Sequence, residues 1–318
     1  MSRAIVFFLY FTAIFLQAGA YGLTFMLPRL FDSFGANEKD VGWMLLLTAV
    51  STIVTVYFSG HLSDLFGRLR TLSGACIAIS VSLFLYGSLD SIGIGLAIAS
   101  LLLGFGWGLT YSLGPIVLTR LVNAEDRVRY FTLLSVFVMG GFGLAPVFAS
   151  LLENAGFSVR DAFYATAVSC IASAILFFVL DGPIKANAIN PRPELASRIT
   201  LAALSGVISS RAILPIIMVC LGASFFAGMS NFQTVFADAR GLDYANFFLT
   251  YTITVVAFRL LLARFKGGRN PYRTIALLQY VMFLSVVVFL FSGSSASLYV
   301  FVAVLFGIGY GVSYPILV

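Results

Sequence analysis

The sequence predicts an all-α polytopic membrane protein of two parallel pseudo-repeats, six helices in the first and an incomplete set in the second. Three observations carry that reading. Of the 318 residues 60% are hydrophobic and only 10% charged, against roughly 25% charged in a soluble domain. The apolar residues fall in runs of about twenty, the length that crosses a hydrocarbon core. And the stretch Gly104-Phe-Gly-Trp-Gly-Leu-Thr-Tyr111 returns 203 residues later as Gly307-Ile-Gly-Tyr-Gly-Val-Ser-Tyr314.

Taken in order, the apolar runs place ten spans at about 4–26, 41–59, 71–89, 93–118, 131–152, 162–181, 212–232, 245–263, 272–292 and 297–318. They are rich in Phe and Gly and lack two-residue alternation, which fits helices and not a barrel. The first run has only Arg3 before it and no small-residue cleavage site, so it reads as a retained anchor. Orientation follows the basic residues: 15 of the 19 lie at one set of alternating ends, and only Arg29, Lys39, Arg160 and Arg240 at the other. That bias puts the N-terminus in the cytoplasm. It also accounts for the net charge of +6, and bases scattered over short loops do not form a nucleic-acid stripe. Cys76, Cys170 and Cys220 fall singly within spans as packing residues. With a lone His61 and no His/Cys cluster, neither a metal nor a cofactor is expected.

The chain divides into residues 1–181, a six-helix half; a cytoplasmic linker, 182–211, marked by Asn-Pro-Arg-Pro at 190–193; and 212–318, a half with four helices. Residues 193–204 form a short helix candidate on the cytoplasmic face. The repeat supports the division. Arg70-Thr71-Leu72 meets Arg273-Thr274-Ile275 at the 203-residue offset, while Gly22/Gly228 and Gly35/Gly241 match at 206. A three-residue length difference in a loop reconciles the two. On repeat logic a complete twelve-span chain has about 390 residues.

Between spans two and three stands Gly60-His-Leu-Ser-Asp64-Leu-Phe-Gly67-Arg68-Leu-Arg70. It reads as a tight cytoplasmic turn in which Gly60 and Gly67 permit close approach, and Asp64 caps a neighbouring helix or pairs with an arginine. Here the chain resembles the major facilitator superfamily, whose loop signature G-x-L-x-D-x-x-G-R-x-R/K is met at Gly60, Leu62, Asp64, Gly67, Arg68 and Arg70. The resemblance implies a fold of two six-helix repeats and a transporter working by alternating access. It also implies a role for Asp64 and Arg68 in a cytoplasmic gate that engages an eleventh helix. The second-half counterpart, residues 263–271, keeps the bases and lacks the acid. In span five, Gly141, Ala145 and Pro146 resemble the antiport run of exporters, with helix packing around a proline as the alternative.

In that family spans one, four, seven and ten line the cavity. The resemblance therefore selects Gln17, Tyr21, Trp107, Tyr111, Asn231, Tyr310 and Tyr314 as substrate-binding residues, with Gln233 just past Asn231. Buried amides in lipid need a partner or a wet face. The aromatic character suggests a hydrophobic or amphiphilic small molecule, although sugars stack on aromatics too. Protons enter as a coupling ion only weakly: Asp32, Asp90, Glu153, Asp181 and Asp238 lie at span ends, and the position of the antiporter arginine is Ser100. Arg259, a turn inside span eight, either meets an anionic group or snorkels outward, and the outward course is the expected one.

The expected function is secondary transport of a small organic molecule by a monomer in the plasma membrane, of bacterial inner-membrane type, with export slightly ahead of uptake. Uptake of a sugar or metabolite and a transport-incompetent scaffold are the alternatives. No HExxH, GxSxG or intramembrane carboxylate pair argues for an enzyme.

Overall fold

A backbone in hydrocarbon must satisfy its own N–H and C=O groups, and helices do so within one segment. A computed structural model describes residues 1–189, 205–206, 208–210, 213–262 and 271–317, less the side chains of 215, 262, 271, 272, 312 and 314–317. Its long helices follow the apolar runs: α1 Arg3–Gly22, α2 Glu38–Phe66, α3 Arg68–Ser88, α4 Ile94–Leu121, α5 Arg127–Asn154, α6 Val159–Val179, α7 Ile213–Asn231, α8 Tyr244–Leu262, α9 Pro271–Phe291 and α10 Ala296–Leu317. Among the described residues eight helices are long and apolar enough to cross a membrane, and α7 and α10 contribute the shorter apolar stretches Ile216–Asn231 and Ala296–Gly311. The chain is a multi-pass membrane protein. The expected linker helix at 193–204 lies largely outside the described residues. So do residues 263–270, which hold most of the second-half loop counterpart.

Polar side chains cap the starts of two long helices. At the start of α2 the Asn37 side chain accepts from the N–H groups of Lys39 at 2.9 Å and Asp40 at 3.2 Å, and the Asp40 carboxylate accepts from Asn37 N–H. Ser158 and Asp161 form the same reciprocal cap on α6. Each arrangement satisfies donors that the first helical turn leaves open.

The chain forms two compact units, Met1–Arg192 and Pro193–Val318. In unit 1, α4 packs on α2 and α3, α3 on α6, and α1 on α5 and α6. In unit 2, α10 packs on α8 and α9, and α7 on α10. The repeat seen in the sequence is therefore a repeat of packing, and the glycine block explains it. A Cβ built at Gly104 would stand 2.2 Å from the Thr48 carbonyl oxygen and 2.8 Å from Ser51 Cβ, both on α2. One built at Gly307 would meet Thr254 Cβ at 3.0 Å and the Tyr251 carbonyl oxygen at 3.3 Å, on α8. A Cβ built at Gly106 would stand 2.4 Å from Ile79 Cγ1 on α3, and one built at Gly309 would stand 2.7 Å from Met282 Cα on α9. Gly108 and Gly311 turn back to Thr52 and Val255. All these partners are themselves 203 residues apart. In lipid no hydrophobic force joins helices, so backbones that can approach this closely supply the dispersion contact that does.

The loops that follow α1 and α7 repeat as well. The short helix Leu27–Asp32 after α1 matches Gln233–Asp238 after α7 at the 206-residue offset, and Gly35 (φ 77°) and Gly241 (φ 64°) end both in the left-handed region. Two residues then precede each of α2 and α8. The loops are thus equal in length, which corrects the expectation of a length difference in a loop. The three extra residues lie in the first turns of α2, between Glu38 and Thr48, because Thr48 already pairs with Tyr251 at 203.

Hydroxyl groups tie the helices of unit 1. Ser73 Oγ donates to the Ala174 carbonyl and Ser80 Oγ to that of Ala167, each at 2.8 Å, so α6 is fastened along α3. Cys76 and Cys170 are buried in that seam, and Cys170 Sγ lies 3.3 Å from the Cys76 carbonyl. Cys220 is exposed on α7. In unit 2 the positions equivalent to Ser73, Cys76 and Ser80 are Ala276, Gln279 and Phe283. With Tyr280 and Met218 they line an open groove of about 460 Å³ between α7 and α9.

Candidate functional site

The α4 glycines press toward α2 and α3, and the intervening Trp107 is thereby turned toward α1. Its ring stacks on Tyr21, with centroids 4.1 Å apart and planes 19° from parallel. Phe142 of α5 closes the group at 5.1 Å from Trp107 and 5.6 Å from Tyr21, and Tyr111 lies 5.7 Å from Trp107. Tyr111 is half exposed, whereas Phe142 is buried. One turn from the stack, Gln17 Nε2 donates to Thr110 Oγ1 at 2.9 Å, with both residues buried. Three of the four residues expected in this half thus form one aromatic cluster. Gln17 instead joins α1 to α4 with its own partner.

Gly141 explains how α5 brings Phe142 so near. A Cβ there would stand 2.5 Å from the Phe15 carbonyl oxygen and 2.7 Å from Gly19 N, and one on Gly22 would stand 2.6 Å from Phe142 Cα. Ala145 is buried one turn on, and Pro146 lies inside the unbroken run of α5. Gly141 therefore lets α1 lie against α5, which gives the start of the run a packing reason. Ser100, at the position the resemblance gives for the antiporter arginine, shares a hydrogen bond of 2.7 Å with the Tyr86 hydroxyl.

Unit 2 builds a related cluster. Tyr310, the repeat equivalent of Trp107, stacks on Phe226 of α7 at 4.5 Å and 10°. Phe306 and Tyr251 complete it, 6.0 Å from Tyr310 and 6.1 Å from Phe226. The Tyr314 side chain lies outside the described residues. Asn231 stands apart at the end of α7: its Nδ2 donates to the Ala227 carbonyl at 2.8 Å, and its buried Oδ1 has no hydrogen-bond partner. Gln233 is tied to Tyr299, whose hydroxyl donates to Oε1 at 2.8 Å.

Arg259 departs from expectation. Its side chain is 1% exposed, and Nε donates to the Gly311 carbonyl at 2.9 Å. The outward course is therefore wrong: the close α8–α10 approach at Gly311 offers a carbonyl within reach, and the side chain turns inward to it. Among the described residues it is the one charged side chain that is buried.

The loop motif also differs from a simple turn. Gly60 and Asp64 are helical, within α2, and Gly67 alone makes the junction, at φ 86° and ψ 141°. Only glycine adopts that backbone without strain. Asp64 is exposed and has no hydrogen bond or ion pair among the described residues. It accepts no N–H from α3, contrary to the capping expectation. The acid sits at a helix C-terminus and Arg68 and Arg70 at an N-terminus, each the unfavourable end for its charge. Arg70 Nε lies 3.6 Å from Asp181 Oδ2, which Lys185 Nζ also meets at 2.9 Å. Asp181 was legible only as a span end. Phe142, Phe226 and Tyr251 were hidden among many aromatics, although Phe142 does stand inside the Gly140–Gly143 run.

The chain belongs to the major facilitator superfamily: the family model described as Major Facilitator Superfamily matches residues 6–318. It is 30% identical over 129 residues to a probable 4-methylmuconolactone transporter of Cupriavidus pinatubonensis, covering 41% of this chain and 30% of that protein. It is 27% identical over 105 residues to myo-inositol transporter 1 of Saccharomyces cerevisiae, covering 33% of this chain and 18% of the relative. The matched stretches thus span under a third of these relatives. Among solved structures the proton:xylose symporter XylE aligns with TM-score 0.69 at 14% identity, over 99% of this chain and 81% of that one. The human organic anion transporter MFSD10 aligns with TM-score 0.66 at 15% identity, over 100% and 85%. At such identities the likeness establishes the fold.

Proposed function

We propose that the protein is a secondary transporter that moves a small organic molecule across the cytoplasmic membrane by alternating access. The observation that carries this reading is the pair of aromatic stacks, Tyr21/Trp107 and Phe226/Tyr310, set on equivalent positions of α4 and α10. Family membership makes transport the natural use of such a pair. Tyr111 and Tyr314 are proposed to extend the two surfaces, and Asn231, with its unpartnered Oδ1, to offer a separate polar contact. The N-terminus is assigned to the cytoplasm on the 15-to-4 distribution of basic residues, and a bacterial inner membrane is the proposed location.

Export is the direction favoured, on the Gly141, Ala145 and Pro146 run. The packing role of Gly141 narrows that preference, and the likeness to a proton:xylose symporter supports uptake as the second reading. Among the described residues no carboxylate is buried, so proton coupling has little to work with inside the membrane. The test is flux of a panel of sugars, aromatic acids and lactones into and out of reconstituted vesicles. Saturable flux supports the assignment, and its dependence on an imposed pH gradient reports coupling. A folded preparation that moves none of the panel would count against transport by this chain.

A further inference from the structure

We propose that unit 2 holds a recognition subsite for a planar organic anion, in which Arg259 and Tyr251 meet the carboxylate and Phe226 and Tyr310 the flat body. The inference rests on the transporter reading and names its substrate class.

The first observation is the burial of Arg259. A guanidinium keeps its charge at every physiological pH, and basic side chains near the end of a membrane helix ordinarily run out to water. Arg259 does the opposite, at 1% exposure, and Nε on the Gly311 carbonyl anchors it beside Tyr310. Ionisable side chains kept inside a membrane segment mark binding sites or ion paths.

The second observation is independent. Tyr251 lies two turns outward on α8, is 3% exposed, and its hydroxyl oxygen is buried with no hydrogen-bond partner. A buried phenol ordinarily finds one. Its ring belongs to the same cluster, 5.6 Å from Phe306 and 6.1 Å from Phe226. The repeat shows that packing does not require either group. Val56 and Thr48 occupy the equivalent positions on α2, and α2 closes on α4 through the same glycines. The cation and the phenol are additions peculiar to unit 2.

Their chemistry selects the ligand. A guanidinium and a phenolic O–H both donate, and a carboxylate accepts from both, bidentately from arginine. The Phe226–Tyr310 pair, 4.5 Å apart and nearly parallel, supplies flat apolar surface for a ring or a conjugated chain.

The probe is benzoate against its neutral isostere benzamide, measured by calorimetry on the full chain in detergent. Benzoate should bind wild type at least about tenfold more tightly than benzamide, the scale of one hydrogen bond to a charged group. Arg259→Gln retains a donor for the Gly311 carbonyl and removes the charge; it should weaken benzoate about thirtyfold and leave benzamide unchanged. Tyr251→Phe removes only an unpartnered hydroxyl. It should fold at least as well as wild type and weaken benzoate about tenfold, so it decides the matter if Arg259→Gln is unstable. Equal binding of benzamide, benzoate affinity unmoved by Tyr251→Phe, or no benzoate binding to folded wild type each overturns the subsite. Vesicle flux separates this failure from that of the transporter reading. Flux of neutral solutes without benzoate binding defeats the subsite alone, whereas benzoate binding without flux of any solute defeats transport.

Discussion

Tyr21 of α1 lies face to face on Trp107 of α4 at 4.1 Å, and the residue that corresponds to Trp107 by repeat, Tyr310, lies in the same way on Phe226 of α7 at 4.5 Å. The partner residues are not repeat equivalents, since position 21 corresponds to Ala227. Neighbouring positions on α1 and α7 have supplied the second ring. The stack is kept while its sequence register is not, as expected if the flat surface itself is used.

Replacing Trp107 with alanine removes one face of the unit 1 stack and should lower the initial rate of flux in vesicles at least about tenfold, given stacking energies of about 0.5–1.5 kcal/mol in addition to lost contact area. Trp107→Phe keeps a ring and should retain most of the rate. Equal rates in wild type and the alanine variant would remove Trp107 from the substrate path.

Gly104→Ala and Gly309→Ala drive a methyl group onto backbone atoms, the Thr48 carbonyl at 2.2 Å and Met282 Cα at 2.7 Å. Each should cost about 1–3 kcal/mol, the range for overpacking, read as a lowered unfolding midpoint in detergent. Gly74 on α3 has nothing within 4 Å of a built Cβ. Gly74→Ala should therefore be neutral or stabilising by about 0.5–1 kcal/mol. A similar midpoint for all three would contradict the packing role of the glycine block.

Asp64 has no partner among the described residues, so Asp64→Asn should leave the unfolding midpoint in place while flux falls. Asp181→Asn, in contrast, releases Arg70 and Lys185 and should cost up to about 1 kcal/mol, the range of exposed ion pairs. Normal flux in Asp64→Asn would withdraw the gate assignment.

Gln17→Leu tests the amide of α1. Loss of its bond to Thr110 should reduce stability by about 0.6 kcal/mol, the mean for interhelical hydrogen bonds in membranes. Thr110 Oγ1 also reaches the Gly106 carbonyl at 3.1 Å, so no hydroxyl is stranded. The substrate KM should stay within about twofold if Gln17 serves as a tie, and a KM raised tenfold would return it to the site.

Most of the fold was legible in the sequence. Ten apolar runs became ten helices because lipid leaves the backbone one economical solution. The 203-residue offset marked the duplication, and the structure shows that it extends to the packing partners Thr48 and Tyr251. The site was only half legible. Tyr21, Trp107 and Tyr111 form one aromatic cluster, whereas Gln17 is bonded away and Asn231 stands apart. The rings that complete the clusters, Phe142 and Phe226, could not be told from 30 other phenylalanines.

The sequence by itself determined membrane insertion, the helices, their duplication and the family. The first three follow from hydrophobicity and spacing, which local chemistry expresses directly, and the family from the resemblance of the Gly60–Arg70 loop motif. Only the tertiary structure decided that the glycines of α4 and α10 point at their neighbours, that Arg70 pairs with Asp181, and that Arg259 turns inward. In a soluble helix the polar face shows which side is buried, but in lipid both sides are apolar. The rotation of each helix about its own axis is then set by close contacts with its neighbours, and that rotation decides which side chains meet.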